Sequence, residues 1–107
     1  MIAERVLRAV ELVPPGRVVT YGDLAELVGG TARQVGSVMR LRGGEVSWWR
    51  VVNASGELPP HLHDEVLPIW LEEGITWSRA GRCRIEQHHC DLARLADDYE
   101  ESVARDS

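Results

Sequence analysis

The stretch from Thr20 to Arg50, TYGDLAELVGGTARQVGSVMRLRGGEVSWWR, constrains this chain more than any other. Leu24, Leu27 and Val28 recur at helical spacing. Thr20 stands where an N-cap belongs, and Asp23 three residues on completes a loose capping box. Gly29-Gly30 stops that helix, because glycine enters the left-handed region without strain. Thr31 then opens a second helix with Gln34 three residues later, and Val35, Val38 and Met39 form its apolar stripe. The spacing predicts helices over 21–28 and 31–41. Two short helices around a glycine turn form a helix-turn-helix unit, whose second helix usually meets DNA.

Charge tells which half of the chain can face nucleic acid. The net charge of −5 argues against a simple nucleic-acid binder. It is unevenly spread, however: residues 1–50 carry a net +2 and residues 51–107 a net −7. All 12 basic residues are arginine, the planar forked donor suited to phosphate and base edges. Any DNA-facing surface must therefore lie in the first half.

The remaining segments predict one mainly helical domain over 1–107 with short strands. Ile2, Val6, Leu7, Val10 and Val13 mark an amphipathic helix ended by Pro14-Pro15-Gly16. Ser47 to Val52 (SWWRVV) reads as a strand, and Asn53-Ala-Ser-Gly56 as a glycine loop reaching out, which together predict a wing. Leu58-Pro59-Pro60 is a stiff linker to a helix over about 61–73, in which Pro68 marks a kink or a start. Ile75-Thr76-Trp77 and Arg82 to Ile85 suggest a hairpin, and residues 88–107 an acidic terminal helix or tail that frays. No apolar run approaches a membrane span and no signal peptide opens the chain, so the expectation is a cytoplasmic monomer with no membrane partner. Cys83, His88, His89 and Cys90 match no standard zinc spacing, and neither metal nor cofactor is expected.

Several residues weigh a bland role against a sharp one. Tyr21 is an ordinary half-buried aromatic or a DNA contact. Arg33 sits in the first turn of the second helix, where the helix dipole disfavours a cation. That is also where a recognition helix meets DNA, which favours a DNA role. Small residues Thr31, Ala32 and Gly36 around it allow close approach of another surface.

The blocks TYGDLAELVG, ARQVGSVMR and WWRVVNASGELP together resemble the C-terminal domain of O6-alkylguanine-DNA alkyltransferases. That resemblance covers roughly residues 2–77 and implies a winged helix-turn-helix domain. It also implies that Tyr21 turns a nucleotide out of the duplex and that Arg33 fills the vacated stack. Met39, Arg40 and Val51 would lie near the base pocket, and Glu73 at the family's buried glutamate. The departure from the family decides the chemistry. Where the family has Pro-Cys-His-Arg, this chain has Ser47-Trp48-Trp49-Arg50. Alkyl transfer needs a thiolate activated by a neighbouring base, and indole supplies neither.

The chain is thus closer to the alkyltransferase-like proteins, which bind alkylated guanine without repairing it and pass the lesion to nucleotide excision repair. Expected DNA contacts are Tyr21, Thr31, Ala32, Arg33, Gly36 and Arg40, and expected pocket residues are Met39, Trp48, Trp49 and Val51. The expected partner is double-stranded DNA carrying O6-alkylguanine. The rival reading is a winged-helix regulator, or a degenerate homologue acting through a protein partner. The second tryptophan and the acidic second half favour that rival, whereas a working alkyltransferase fails for want of a placed cysteine.

Overall fold

The computed structural model describes residues 2–106. Helix α1 (Ile2–Leu12) leads into strand β1 (Val19–Thr20), then α2 (Tyr21–Val28) and α3 (Ala32–Arg42). Strand β2 (Val51–Val52) follows two single-turn 3-10 segments, Gly43–Glu45 and Trp48–Arg50. A 3-10 turn (Pro60–Leu62) runs into α4 (His63–Glu73), and α5 (Ile85–His88) and α6 (Leu92–Arg105) complete the chain. No helix among the described residues is long and apolar enough to cross a membrane.

The two short strands pair in parallel, Val19 with Val51 and Thr20 with Val52. Neighbouring residues of an extended segment face opposite ways. Val19 and Val51 accordingly enter one core, formed by α1, α2, α3 and α6. Val18 and Val52 enter a second, built around Val66, Trp70, Ile75 and Cys83. The strands thus form the partition between the helix-turn-helix half and the α4 half.

Both predicted capping boxes form. The Thr20 hydroxyl accepts from the Asp23 N–H at 3.1 Å, and the Asp23 carboxylate accepts from the Thr20 N–H at 2.9 Å. Thr31 and Gln34 repeat the arrangement at 3.2 and 2.9 Å. Gly29 ends α2 with φ +81°, in the left-handed region that favours glycine.

Three expectations are corrected. Trp48–Arg50 is a 3-10 turn, not part of a strand. A strand would send the side chains of Trp49 and Arg50 to opposite faces, yet both reach the Glu73 carboxylate. The Asn53–Gly56 turn does not reach outward as a free wing. Its Gly56 carbonyl accepts from the Cys83 N–H at 2.8 Å, and a Cβ at Gly56 would collide with the Cys83 carbonyl oxygen. The terminal helix does not fray. Leu95 is buried against α1, and the Arg8 guanidinium donates to the Ser102 carbonyl at 3.0 Å and hydroxyl at 2.7 Å. The expected hairpin survives as a single bridge, Trp77 to Cys83.

A clamp at the C-terminal end of α4 joins the halves. The Glu73 carboxylate accepts from the Gly16 N–H at 3.0 Å and the Trp49 indole N–H at 2.7 Å. It also accepts from Arg50 Nε at 3.1 Å and Nη2 at 2.7 Å. The Arg50 Nη1 donates to the Val13 carbonyl at 3.0 Å, and the Trp70 indole donates to the Trp49 carbonyl at 2.7 Å. Burial pushes the Glu73 carboxyl up, but the bonds from Arg50, Gly16 and Trp49, with the Arg50 charge, outweigh it and hold the pKa below the ordinary value.

The side chains of Glu73 and Arg50 are only 13% and 11% exposed, so removing one partner strands a poorly solvated charge. Glu73→Ala is expected to cost about 3 kcal/mol at pH 7. A carboxyl with a lowered folded pKa gives stability that is full above its unfolded value, about 4.3, and is lost as pH falls through the folded value. Urea unfolding at several pH values checks this: the gap between wild type and Glu73→Ala should narrow below about pH 4. A gap independent of pH contradicts the clamp.

Candidate nucleic-acid interface

The N-terminal turn of α3 projects from the helix-turn-helix unit with its core side turned inward. Val35 and Val38 are buried, while Thr31, Ala32, Arg33, Ser37 and Arg40 are exposed. Among the described residues the Arg33 guanidinium has no hydrogen-bond or ion-pair partner. A cation in the first helical turn is disfavoured by the dipole, and nothing in the fold compensates it. Arg40 lies two turns further along the same face, with its Nη2 3.5 Å from the Ser37 hydroxyl.

Gly36 adds a second observation. A glycine inside a helix destabilises it by roughly 0.5–1 kcal/mol relative to alanine. A Cβ placed at Gly36 would meet nothing within 4 Å, so the fold itself does not require glycine there. An absent side chain is useful only to a surface arriving from outside.

Beside this face opens a cleft of about 440 Å³. Tyr21 from the start of α2, Gly36, Met39 and Arg40 from α3, Trp48 from the 3-10 turn and Val51 from β2 all line it. Six of the ten residues expected at the site thus converge on one concavity. Thr31, Ala32 and Arg33 lie on the exposed helix start instead, away from the cleft lining. The volume falls within the ordinary range of small-molecule sites, about 300–1,000 Å³.

Trp49, expected beside Trp48 in the pocket, does not line the cleft. Its ring stands edge-on to Trp48, with centroids 5.8 Å apart at 85°, and the Arg50 guanidinium sits 5.3 Å from its own centroid. The indole N–H is committed to Glu73 at 2.7 Å. The resemblance places these two residues at the family's histidine and glutamate. Here an indole N–H, a donor with no basic lone pair, makes that link.

Part of the cleft lining escaped the sequence reading. Leu58, Pro59, His61, Leu62 and Glu65 form it. The proline pair reads as a linker, and only the fold brings Pro59 into the same lining as Trp48. Burial pushes the Tyr21 phenol pKa up, so its hydroxyl stays neutral and able to donate.

Neither thiol is placed or poised for chemistry. Cys83 and Cys90 are both buried and neither lines the cleft. Burial, with Glu86 nearby, pushes Cys83 up to about 11, and burial with Asp91 raises Cys90. The neighbouring imidazoles have separate partners. His88 Nε2 accepts from the Thr76 N–H at 2.9 Å, and His89 Nε2 lies 2.7 Å from the Asp23 carboxylate. That second contact braces the N-terminus of α2.

Comparison with known proteins agrees with this geometry. Residues 1–71 match the model of the 6-O-methylguanine DNA methyltransferase DNA-binding domain. A DNA base-flipping protein of Escherichia coli (strain K12) is 36% identical over 92 residues, which are 79% of this chain and 70% of that one. A DNA base-flipping protein of Vibrio parahaemolyticus is 33% identical over 90 residues, 78% of this chain and 90% of that one. Among solved structures, S. pombe Atl1 in complex with damaged DNA containing O6-carboxymethylguanine superposes with a TM-score of 0.70 at 27% identity. That match covers 82% of this chain and 93% of Atl1. The chain belongs to the family of the 6-O-methylguanine DNA methyltransferase DNA-binding domain, and within it to the alkyltransferase-like homologues.

Proposed function

We propose that this protein is a non-enzymatic sensor of O6-alkylguanine in double-stranded DNA. The observation that carries this reading is the cleft lined by Tyr21, Met39 and Trp48, with an indole where the family's nucleophile would stand, beside a helix bearing an unpaired arginine. The α3 face enters a groove of the duplex, with Gly36 and Ala32 permitting close approach. Tyr21 presses on the backbone and turns the target nucleotide outward. Arg33 fills the vacated stack, and Trp48 receives the extruded base.

The energies are of the right order. Extrusion costs a few kcal/mol, less at a poorly paired lesion. Stacking on an indole returns about 1–3 kcal/mol, and burial of the alkyl carbon adds about 0.8 kcal/mol. The arginine in the gap recovers part of the lost stacking. An O6-alkyl group thus lowers the cost of extrusion and raises the gain on capture. The acidic second half, at net −7, keeps the basic face as the side that approaches phosphate.

The chain lacks the groups for alkyl transfer, because Trp48 and Trp49 take the acceptor and base positions and both thiols are buried with raised pKa values. A sensor that does no chemistry needs a successor. By the resemblance, that successor is nucleotide excision repair, with this chain acting as a cytoplasmic monomer of one domain.

Binding to matched duplexes with and without one O6-methylguanine tests the reading. Wild type should prefer the lesion duplex. Trp48→Ala should lose about 5- to 150-fold of that affinity, the equivalent of one stacked base. Tyr21→Ala and Arg33→Ala should lower the lesion preference as well. Sequence preference without lesion preference would make the protein a winged-helix regulator instead. Transfer is tested separately with a labelled O6-methyl duplex. All label should remain on DNA, and stoichiometric label on Cys83 or Cys90 would contradict the assignment.

A further inference from the structure

The cleft lining is of two chemical kinds. Tyr21, Met39, Trp48 and Val51 present apolar surface. The same lining includes His61, which precedes α4, and Glu65, in its first turn. Both are exposed, and among the described residues neither side chain has a hydrogen-bond or ion-pair partner. Glu65 is the one carboxylate among the described residues that line the cleft. The fold makes no use of it: α4 has no side-chain cap, and Glu65 neither caps the helix nor pairs with Arg40 across the opening.

A purine stacked on Trp48 has its faces against the apolar surface. Its substituted edge is then left to the polar side chains of the lining, His61, Glu65 and Arg40. Arg40 lies on the α3 face that meets DNA, where phosphates neutralise it. Glu65 is left as the uncompensated charge beside the substituent. A carboxylate within a few ångströms of an anionic substituent repels it, and does so more strongly once the base excludes water from the cleft. A neutral substituent escapes that penalty, and a cationic one gains attraction.

Resting on the lesion-sensing role proposed above, we infer that Glu65, flanked by His61, is a specificity-determining residue that sorts O6 adducts by charge. It admits neutral and cationic substituents and rejects anionic ones. His61 supplies a hydrogen-bonding edge to substituents that carry a donor or acceptor. The preference would differ from what Atl1 tolerates, since that protein's complex holds a carboxymethyl adduct.

Four duplexes of one sequence test this, carrying guanine, O6-methylguanine, O6-carboxymethylguanine or O6-(2-aminoethyl)guanine at one position. Wild type should bind the methyl duplex at least about fivefold more tightly than the carboxymethyl duplex, about 1 kcal/mol. Glu65→Gln should bring those two within about twofold, chiefly by tightening the carboxymethyl duplex, and weaken the aminoethyl duplex. His61→Ala should weaken the aminoethyl duplex more than the methyl duplex. Because Glu65 is exposed and unbonded, Glu65→Gln should unfold at the wild-type temperature, which separates specificity from folding. A methyl-to-carboxymethyl ratio that Glu65→Gln leaves unchanged overturns the inference while the sensor role stands. Equal wild-type affinity for the methyl and plain duplexes overturns both.

Discussion

One carboxylate holds the site together. Glu73 gathers a backbone N–H from the turn after α1, an indole N–H and a guanidinium, and so fixes the turn at residues 48–50 between the two halves. Trp48 faces the cleft because Trp49 and Arg50 are both drawn the other way. The bonds are charge-assisted and little exposed, and such bonds are roughly twice as strong as neutral ones. The same geometry accounts for the second tryptophan, which the family pattern leaves unexplained. The Trp49 indole N–H donates to Glu73, and its ring is thereby committed to the clamp.

Much of this was legible in the sequence. Thr20, Asp23, Thr31 and Gln34 encode their capping boxes locally, and helix ends set by local hydrogen bonds survive folding unchanged. The apolar stripes of α1 to α3 were legible for the same reason. What failed was the segment whose conformation is decided at long range. Tryptophan and valine favour strands, so SWWRVV reads as extended. Its first half is instead pulled into a 3-10 turn by Glu73 and Trp70, more than 20 positions away. Part of the cleft lining was hidden similarly, since nothing local in Leu58-Pro59-Pro60 says that Leu58 and Pro59 will line the cleft with Trp48. The clamp of Arg8 on Ser102, which keeps α6 from fraying, spans 94 positions.

The division of labour follows the charge. The first half carries Arg33 and Gly36 of α3, residues that serve the fold poorly where they stand. The second half carries the excess acid and supplies the Glu73 carboxylate of the clamp, part of the cleft lining and the bracing contact from His89 to Asp23. In the proposed role, that asymmetry would orient the α3 face toward phosphate before contact.

The central claim is that an alkylated base leaves the duplex and enters the cleft. A crystal structure of this protein with a duplex carrying O6-methylguanine tests it most directly. The account predicts the lesion outside the helix with its ring atoms about 3.5–4.0 Å from the Trp48 indole, and the Arg33 guanidinium in the gap left behind. A lesion still stacked and paired in the duplex, with the cleft empty and Arg33 on phosphate alone, would contradict it.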